Sequence, residues 1–274
     1  MTDRVRDYYK SVGPREWARL DTPGGALEFG INTRIIQMHL DSSSRVLDIG
    51  GGPGRYALWL ASLGHEVVLA DLSPRLLEIA REVIAESSFR EGICDIVEAD
   101  ARDLSFWEDG DFDAAVCLGP FYHLPELHDR EKAAHELRRV VRRGGRIFVA
   151  FMPWQAFFRR TAAIPEERHR LLDRGWLTGL LEDGRFMNDV PGRFDVGYGA
   201  VPSGIAPFFE GLGFETLGLF TSDGLGTGIE EVLAELRESD PATHDALMRV
   251  IAEAADDPSL HGLSTHLLYV GRVV

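Results

Sequence analysis

The chain has 274 residues, 45% of them hydrophobic, which is enough for one large packed domain or for a domain with a lid. Its 29 Lys and Arg against 44 Asp and Glu give a formal net charge of −15, which argues against a nucleic acid as partner. No apolar run is long enough for a signal peptide or a membrane span, and Cys94 and Cys117 lack metal-ligand spacing. We therefore expect a cytoplasmic protein with no membrane partner and no metal; the sequence does not indicate an oligomeric state.

The first 44 residues do not fit the repeating pattern that follows them, and we expect a helical lid there. This segment contains two adjacent tyrosines, Tyr8 and Tyr9. Neighbouring residues of a helix cannot both face one core, so one ring is expected to point toward a binding site. We favour Tyr9 as a cofactor contact, because aromatic faces stabilise cations. Simple packing of both rings along a helix is the alternative.

From Arg45 onward, short apolar runs alternate with amphipathic stretches, as is typical of βαβ units around a buried parallel sheet. The runs predict five strands: Arg45–Ile49, Glu66–Ala70, Cys94–Glu98, Phe112–Cys117 and Arg146–Phe151. Two later runs, Phe214–Phe220 and His266–Val274, bring the number of predicted strands to seven. The last run lacks its own crossover helix, which favours an antiparallel final strand. The expected fold class is α/β, with a Rossmann-like, doubly wound and mostly parallel sheet.

The strands divide the chain into four predicted parts. Residues 1–44 are the lid, 45–152 the Rossmann-like core, and 204–274 the rest of the core with a helical insertion at about 222–263. Residues 153–203 are a cap insertion rich in aromatic residues, beginning with Trp154. These aromatics either form the wall of a substrate pocket, with Trp154 as a substrate contact, or pack as a satellite core.

The stretch VLDIGGGPGRYA, residues 46–57, ends the first strand and leads into a helix. Its glycines permit a tight turn and let a ligand approach the main chain closely. Gly52–Ala57 also satisfies the G-x-G-x-x-A fingerprint of dinucleotide sites, and Asp71 follows Gly52 by 19 residues, as a ribose-binding acid would. On these features alone, an enzyme that uses a nicotinamide cofactor remains possible.

Three further features favour an adenosine site without a pyrophosphate. Asp48 ends the first strand, where a carboxylate would repel two phosphate charges. Asp100 follows the third strand at the same edge of the sheet and can accept a hydrogen bond from an adenine amino group. The fourth strand leads into a turn that carries Tyr122 and His123 over that edge.

In this order and spacing, the motifs resemble those of class I S-adenosylmethionine-dependent methyltransferases over roughly residues 45 to 151. The resemblance implies S-adenosyl-L-methionine as the cofactor. It also implies a set of cofactor-binding residues: Asp48, Gly50, Gly52, Gly54, Asp71, Leu72, Asp100, Ala101 and Leu118. By the resemblance, Asp71 would hold the ribose hydroxyls, and Asp100 with Ala101 would meet the adenine. The family's Asn/Asp-Pro-Pro-Tyr/Phe signature is replaced by LGPFY at 118–122, which disfavours DNA adenine as the acceptor.

Methyl transfer from a sulfonium releases a neutral thioether, so only the acceptor's proton needs a base. His123 is the candidate general base, because a neutral imidazole suits this task near pH 7. A histidine that only forms hydrogen bonds within the turn is the alternative. Tyr122 is expected to pack on the cofactor or on the substrate.

The sequence therefore predicts a methyltransferase that transfers a methyl group to an O, N or C nucleophile of a small-molecule acceptor. An acidic surface and an aromatic cap suit a modest organic acceptor better than a polymer. Two alternatives remain: an NAD(P)-dependent oxidoreductase, and a non-catalytic module that binds the cofactor.

Overall fold

The computed structural model describes residues 5–9, 13–190 and 194–274. The predicted lid and the predicted cap insertion are therefore described only in part, because residues 1–4, 10–12 and 191–193 lie outside the described residues. Within the described residues, nine strands form one sheet with helices on both faces, which confirms the expected α/β fold.

The first five strands pair in the order β3-β2-β1-β4-β5, and every neighbouring pair is parallel. They are β1 (Arg45–Ile49), β2 (Glu66–Asp71), β3 (Ile93–Glu98), β4 (Phe112–Cys117) and β5 (Val141–Pro153). The strand order reverses direction between β1 and β4, which is the point where doubly wound sheets bind their ligands.

The chain returns to this sheet with two late strands, β8 (Phe214–Thr221) and β9 (Leu267–Val273). Strand β9 lies beside β5 and runs antiparallel to it, with Val149 opposite Tyr269. Strand β8 pairs antiparallel with the outer edge of β9. The predicted seven strands with an antiparallel final strand are therefore confirmed.

Two strands that the sequence did not predict raise the number from seven to nine. A hairpin of β6 (Arg185–Met187) and β7 (Val196–Ala200) joins the sheet where Met152 of β5 pairs with Gly199. Strand β5 extends two residues beyond its predicted end, whereas its ladder with β9 stops at Phe151. Strand β7 pairs with the end of β5 that β9 leaves unpaired. Strands this short, one of them with two glycines, give no alternating apolar signal.

Helices connect the strands, and side-chain caps mark where several of them begin. Ser73 accepts a hydrogen bond from the Leu76 N–H, and Pro74 occupies the first helical position. The helices are α1 (residues 5–9), α2 (Pro14–Arg19), α3 (Pro23–His39), α4 (Arg55–Ser62), α5 (Pro74–Glu86), α6 (Leu127–Val140), α7 (Trp154–Ala163), α8 (Arg174–Asp183), α9 (Pro202–Glu210), α10 (Glu230–Ser239) and α11 (Pro241–Glu253). A short 3-10 turn, Pro120–His123, follows β4.

Both faces of the sheet are buried, because successive residues of each strand point to opposite sides. Leu47 and Ile49 belong to the apolar cluster on one face and Val46 to the cluster on the other. A third, separate cluster forms in residues 153–203 around Leu180 and the aromatic rings of Phe157 and Phe186. Among the described helices, none is long and apolar enough to cross a membrane.

Candidate functional site

A cavity lies at the carboxyl ends of the parallel strands, where open α/β sheets bind their ligands. It contains about 1140 Å³ of empty space, part of it continuous with solvent, which is room for an organic ligand of nucleoside size. Most of the predicted site residues line it: Tyr9, Asp48, Gly50, Gly52, Asp71, Leu72, Asp100, Ala101, Leu118, Tyr122 and His123. The structure thus brings together residues from the N-terminal segment, the core strands and the turn after β4.

The glycine loop after β1 forms one wall of this cavity, and its glycines differ in what surrounds them. Gly50 and Gly52 have φ angles of 73° and 56°, in the left-handed region that favours glycine. A Cβ atom at Gly50 would lie 2.5 Å from Cδ of Pro120, so Gly50 packs against the turn after β4. At Gly52 the nearest atom would be Cδ1 of Leu76 at 3.7 Å, so this main chain is open to a ligand.

Asp71, at the end of β2, holds the glycine loop in place. Its Oδ2 accepts a hydrogen bond from the Gly52 N–H at 2.9 Å, and its Oδ1 accepts one from the Ser73 N–H at 2.8 Å. Burial raises the pKa of Asp71 to about 6, although the main-chain donors oppose this shift. The carboxylate therefore both braces the loop and borders the cavity.

Asp48 places a second carboxylate beneath the loop. Its side chain is only 1% exposed, and within the described residues its Oδ2 accepts no hydrogen bond. Burial, and after it the charge of Asp71, raise the pKa of Asp48 to about 7, although a main-chain hydrogen bond from Ala57 opposes this shift. Among the residues that the structure describes, neither Asp48 nor Asp71 forms an ion pair with a basic side chain.

By contrast, every arginine lining the cavity has a carboxylate partner: Arg6 with Glu98, Arg19 with Glu16 and Glu28, Arg55 with Asp21, and Arg102 with Asp100 and Asp129.

Asp100 borders the cavity after β3, but both of its carboxylate oxygens are engaged by Arg102. The Arg102 Nε donates to Oδ1 at 2.9 Å, and its NH2 donates to Oδ2 at 2.6 Å. Burial opposes the effect of these bonds, yet they hold the pKa of Asp100 below its usual value. Asp100 is thus a fixed, ionised group, and we name the residues Asp48, Gly50, Gly52, Asp71 and Asp100 the loop wall.

Residues 5–9 lie across the open side of the loop wall. The Arg6 Nε donates to the Leu72 carbonyl at 3.2 Å, and its NH2 contacts Oε1 of Glu98 at 2.5 Å. Of the two adjacent tyrosines, Tyr9 lines the cavity, whereas the ring of Tyr8 packs against Phe194 at a centroid distance of 6.1 Å.

A second part of the lining is formed by Tyr9, Tyr122 and His123, which we name the aromatic wall. The Tyr9 hydroxyl lies 2.8 Å from Nε2 of His123. Burial lowers the pKa of His123 to about 4, with a smaller opposing contribution from the Val196 main chain. Burial also raises the pKa values of Tyr9 and Tyr122 above their usual range. At neutral pH the aromatic wall is therefore uncharged, and its imidazole is a weak base.

A ring from the cap insertion packs behind the aromatic wall. Phe194 lies 4.7 Å from His123 and 6.3 Å from Tyr122 between ring centroids. It also packs on Phe157 and Phe186 of the third apolar cluster. The cap thus reaches the cavity through its packing on these rings.

Two predicted site residues lie outside the cavity lining. Gly54, with a φ of 90°, precedes α4, and a Cβ there would lie 3.2 Å from Cδ2 of Leu69, so this glycine serves the packing of the loop. Trp154 packs with the third apolar cluster, away from the cavity. For Trp154, the satellite-core alternative describes the structure better than a pocket wall does.

The structure also brings charged residues to the cavity that the sequence analysis missed. For Arg102, the sequence offers one indication of a place in the site, because Arg102 lies two residues after Asp100 in the stretch ADARD. The sequence offers no such indication for Arg6, Glu16 and Arg19. These residues reach the cavity from the N-terminal segment through contacts between distant parts of the chain.

The lining fits a ligand of defined character. An open main-chain loop suits close approach of a nucleoside, and two uncompensated buried carboxylates suit a ligand that brings positive charge. S-Adenosyl-L-methionine combines an adenosine with a sulfonium and an ammonium group, so the residues present fit this cofactor.

Comparisons of the sequence agree with this fit. Residues 47–149 match the sequence model of a family described as a methyltransferase domain. The chain is 29% identical over 155 residues to a ubiquinone/menaquinone biosynthesis C-methyltransferase, UbiE, of Geobacter sp. (strain M21), covering 54% of this chain and 62% of that protein. It is 32% identical over 135 residues to a ubiquinone biosynthesis O-methyltransferase of Xanthomonas oryzae pv. oryzae (strain PXO99A), covering 49% of this chain and 54% of that protein. The aligned part thus spans about half to three-fifths of these relatives.

Solved structures share the fold at lower sequence identity. A crystal structure of a SAM-dependent methyltransferase from Methanosarcina mazei has a TM-score of 0.61 at 18% identity, and the match covers 88% of this chain and 97% of that one. The crystal structure of the [4+2]-cyclase SpnF has a TM-score of 0.54 at 20% identity, covering 89% of this chain and 80% of that one. Residues 47–149 thus match a methyltransferase domain, and the sheet and the glycine loop agree with the resemblance to class I S-adenosylmethionine-dependent methyltransferases.

Proposed function

We propose that the protein is an S-adenosylmethionine-dependent methyltransferase that transfers a methyl group to an O, N or C nucleophile of a small-molecule acceptor. The observation that carries the proposal is the pair of uncompensated carboxylates, Asp48 and Asp71, beneath an open glycine loop. S-Adenosyl-L-methionine bound there would supply a methyl group on a cationic sulfonium that leaves as a neutral thioether.

We assign the loop wall to the cofactor. Asp71 would hold the ribose hydroxyls while it keeps its bonds to the main chain. Asp48 would neutralise the positive charge of the methionine part, and the open main chain at Gly52 would allow the close approach. Asp100 and Ala101 would meet the adenine, with the Asp100 carboxylate already oriented by Arg102.

We assign Tyr122 and His123 of the aromatic wall to the acceptor, with His123 as the general base, and the ring of Tyr9 to the cofactor. Burial keeps the imidazole neutral, and the Tyr9 hydroxyl fixes the direction of Nε2. A base with a pKa of about 4 is weak, but a hydroxyl oxygen becomes strongly acidic as a methyl group is added to it. His123 therefore suits the removal of a proton that is already being released, and Tyr122 would pack on the acceptor.

The acceptor is proposed to be a small molecule, not a nucleic acid. The net charge of −15 opposes a polyanion, and two relatives are named for methyl transfer in quinone biosynthesis. Both cysteines are free thiols, which suits the cytoplasm, where we place the protein.

Native mass spectrometry of the purified protein, followed by a panel of small-molecule acceptors, tests this function. We expect a bound mass of S-adenosylhomocysteine or S-adenosylmethionine and a methylated product from at least one acceptor. Bound NAD would instead support an oxidoreductase. Cofactor binding without any methylated product would support a non-catalytic module, or another reaction on this fold, as the cyclase among the structural neighbours illustrates.

A further inference from the structure

Two adjacent charged residues in the first turn of α6, Asp129 and Arg130, are only 8% and 7% exposed. Charged side chains are rarely buried to this extent unless they are paired. Neither residue lines the cavity, yet each bonds to a residue that does. The two side chains reach different walls.

Asp129 reaches the loop wall through Arg102. Its Oδ1 accepts a hydrogen bond from NH1 of Arg102 at 3.1 Å. The Nε and NH2 atoms of the same guanidinium donate to the two carboxylate oxygens of Asp100. Because Arg102 is held from both ends, the orientation of Asp100 at the cavity depends on Asp129.

Arg130 reaches the aromatic wall through the main chain. Its NH1 donates to the carbonyl oxygens of Leu124 and Pro125 at 2.7 and 2.8 Å, directly after the turn that carries His123. The guanidinium carbon also lies 3.5 Å from the ring centroid of Tyr198 on β7. Arg130 therefore ties the His123 turn to the cap hairpin in a buried setting, where cation–π contacts are strongest.

A more exposed ion pair joins the same two regions and offers a matched control. NH2 of Arg185 on β6 lies 2.7 and 2.8 Å from the two carboxylate oxygens of Glu126, just before α6. The Arg185 side chain is 51% exposed, so solvent screens this pair. Its loss should have little effect on the turn.

We propose that Asp129 and Arg130 are positioning residues that set the two walls of the cavity independently. Asp129 fixes the adenine side of the loop wall through Arg102 and Asp100. Arg130 fixes the acceptor side through the turn that ends at His123. This inference rests on the proposed function, because that function assigns the two walls to cofactor and acceptor.

Calorimetry with S-adenosylhomocysteine on the full chain tests the first half of the inference. Asp129→Asn should weaken binding about tenfold, because the guanidinium of Arg102 loses a charged partner. Arg130→Met should leave the affinity within about twofold of the wild type. Equal losses in both variants would contradict separate roles for the two residues.

Titration of the His123 ring by NMR, without any ligand, tests the second half. His123→Asn identifies the resonance, which should titrate near pH 4 in the wild-type protein. Arg130→Met should shift this titration toward the ordinary value of 6.5, because the turn loosens and water reaches the ring. Arg130→Lys, which keeps a donor for the carbonyls, should shift it less, and Asp129→Asn and Arg185→Met should leave it unchanged.

The two measurements also separate this inference from the proposed function. If the wild-type chain binds no S-adenosylhomocysteine, the proposed function fails, while the His123 titration still decides whether Arg130 positions the turn. Circular dichroism identifies any variant that does not fold, and Arg130→Leu, which also removes the guanidinium, then takes the place of Arg130→Met. An unshifted His123 titration in a folded Arg130→Met or Arg130→Leu variant overturns the assignment of Arg130.

Discussion

The two walls of the cavity are built in different ways. The loop wall comes from the ends of neighbouring parallel strands, and its acids lie at or just after the carboxyl ends of β1, β2 and β3. The aromatic wall joins Tyr9 to His123 across 114 residues, with Phe194 of the cap behind them. The loop wall carries ionisable carboxylates, whereas the aromatic wall is neutral. A motif thus encodes the first wall, and tertiary packing alone creates the second.

The largest effect is expected from a substitution in the loop wall. Asp71→Ala removes the acceptor of the hydrogen bonds from Gly52 and Ser73 together with the proposed ribose contact. Because hydrogen bonds to a charged group contribute about 1.5–3 kcal/mol each, we expect affinity for S-adenosylhomocysteine to fall at least about 100-fold. Calorimetry measures this loss. Asp183→Ala, an exposed acid on α8, is the control and should bind like the wild type.

Breaking the aromatic wall should change the rate and not the cofactor affinity. His123→Asn removes the proposed base and should lower kcat about 100-fold, the lower end of what general bases contribute. Tyr9→Phe removes only the hydrogen bond to Nε2 and should lower kcat about tenfold. Steady-state kinetics with the acceptor found in the panel, beside calorimetry, checks both values. A His123 variant with unchanged turnover would remove this residue from the mechanism.

The difference in charge between the two walls can be tested by measuring stability at different pH values. Asp48 has an ordinary pKa of 3.8 and one of about 7 when folded, so the folded protein binds this proton more tightly. The resulting stabilisation is complete below pH 3.8 and is lost as the pH rises through 7. Asp48→Asn should therefore raise the free energy of unfolding at pH 8, by at least about 1 kcal/mol, and much less at pH 4.

Cofactor binding should have the opposite pH dependence. A cationic sulfonium favours ionised Asp48 and Asp71, whose pKa values are about 7 and about 6. Affinity for S-adenosylmethionine should therefore rise between pH 5 and pH 8, as measured by calorimetry. Asp48→Asn should flatten this rise, and a slope as steep as that of the wild type would contradict the role of Asp48.

The smallest effect is expected in the cap. Trp154→Phe keeps a ring in the third apolar cluster but removes volume, at a cost of about 1 kcal/mol in stability. Affinity for S-adenosylhomocysteine should stay within about twofold of the wild type, because Trp154 is absent from the cavity lining. Thermal unfolding and calorimetry provide the two measurements, and a tenfold loss of affinity would return Trp154 to the site.

The difference between the two walls also explains which parts of the structure could be predicted from the sequence. Strands β1 and β4 were predicted with the correct bounds, because a buried parallel strand is a continuous apolar run between turn residues. The residues of the loop wall follow from motif spacing in the same way. Strands β6 and β7 were missed, since β7 depends on the open edge that β9 leaves along β5, and β6 depends on β7.

Side-chain partners were the least predictable part of the site. Tyr9 pairs with His123 and Arg6 with Glu98, and each pair joins residues far apart in sequence. No local sequence pattern indicates either pairing. The depressed pKa of His123 likewise depends on burial, which only the assembled fold determines.

The attachment of the cap hairpin has a consequence for engineering. Strand β7 shares only two residue pairs with β5, Met152 with Gly199 and Pro153 with Ala200. All strand pairings beneath the glycine loop lie elsewhere in the sheet. The hairpin is therefore joined to the sheet by few main-chain pairs, and chimaeras that replace residues 185–197 but keep Tyr198 for Arg130 should alter acceptor choice while they keep the nucleoside pocket intact.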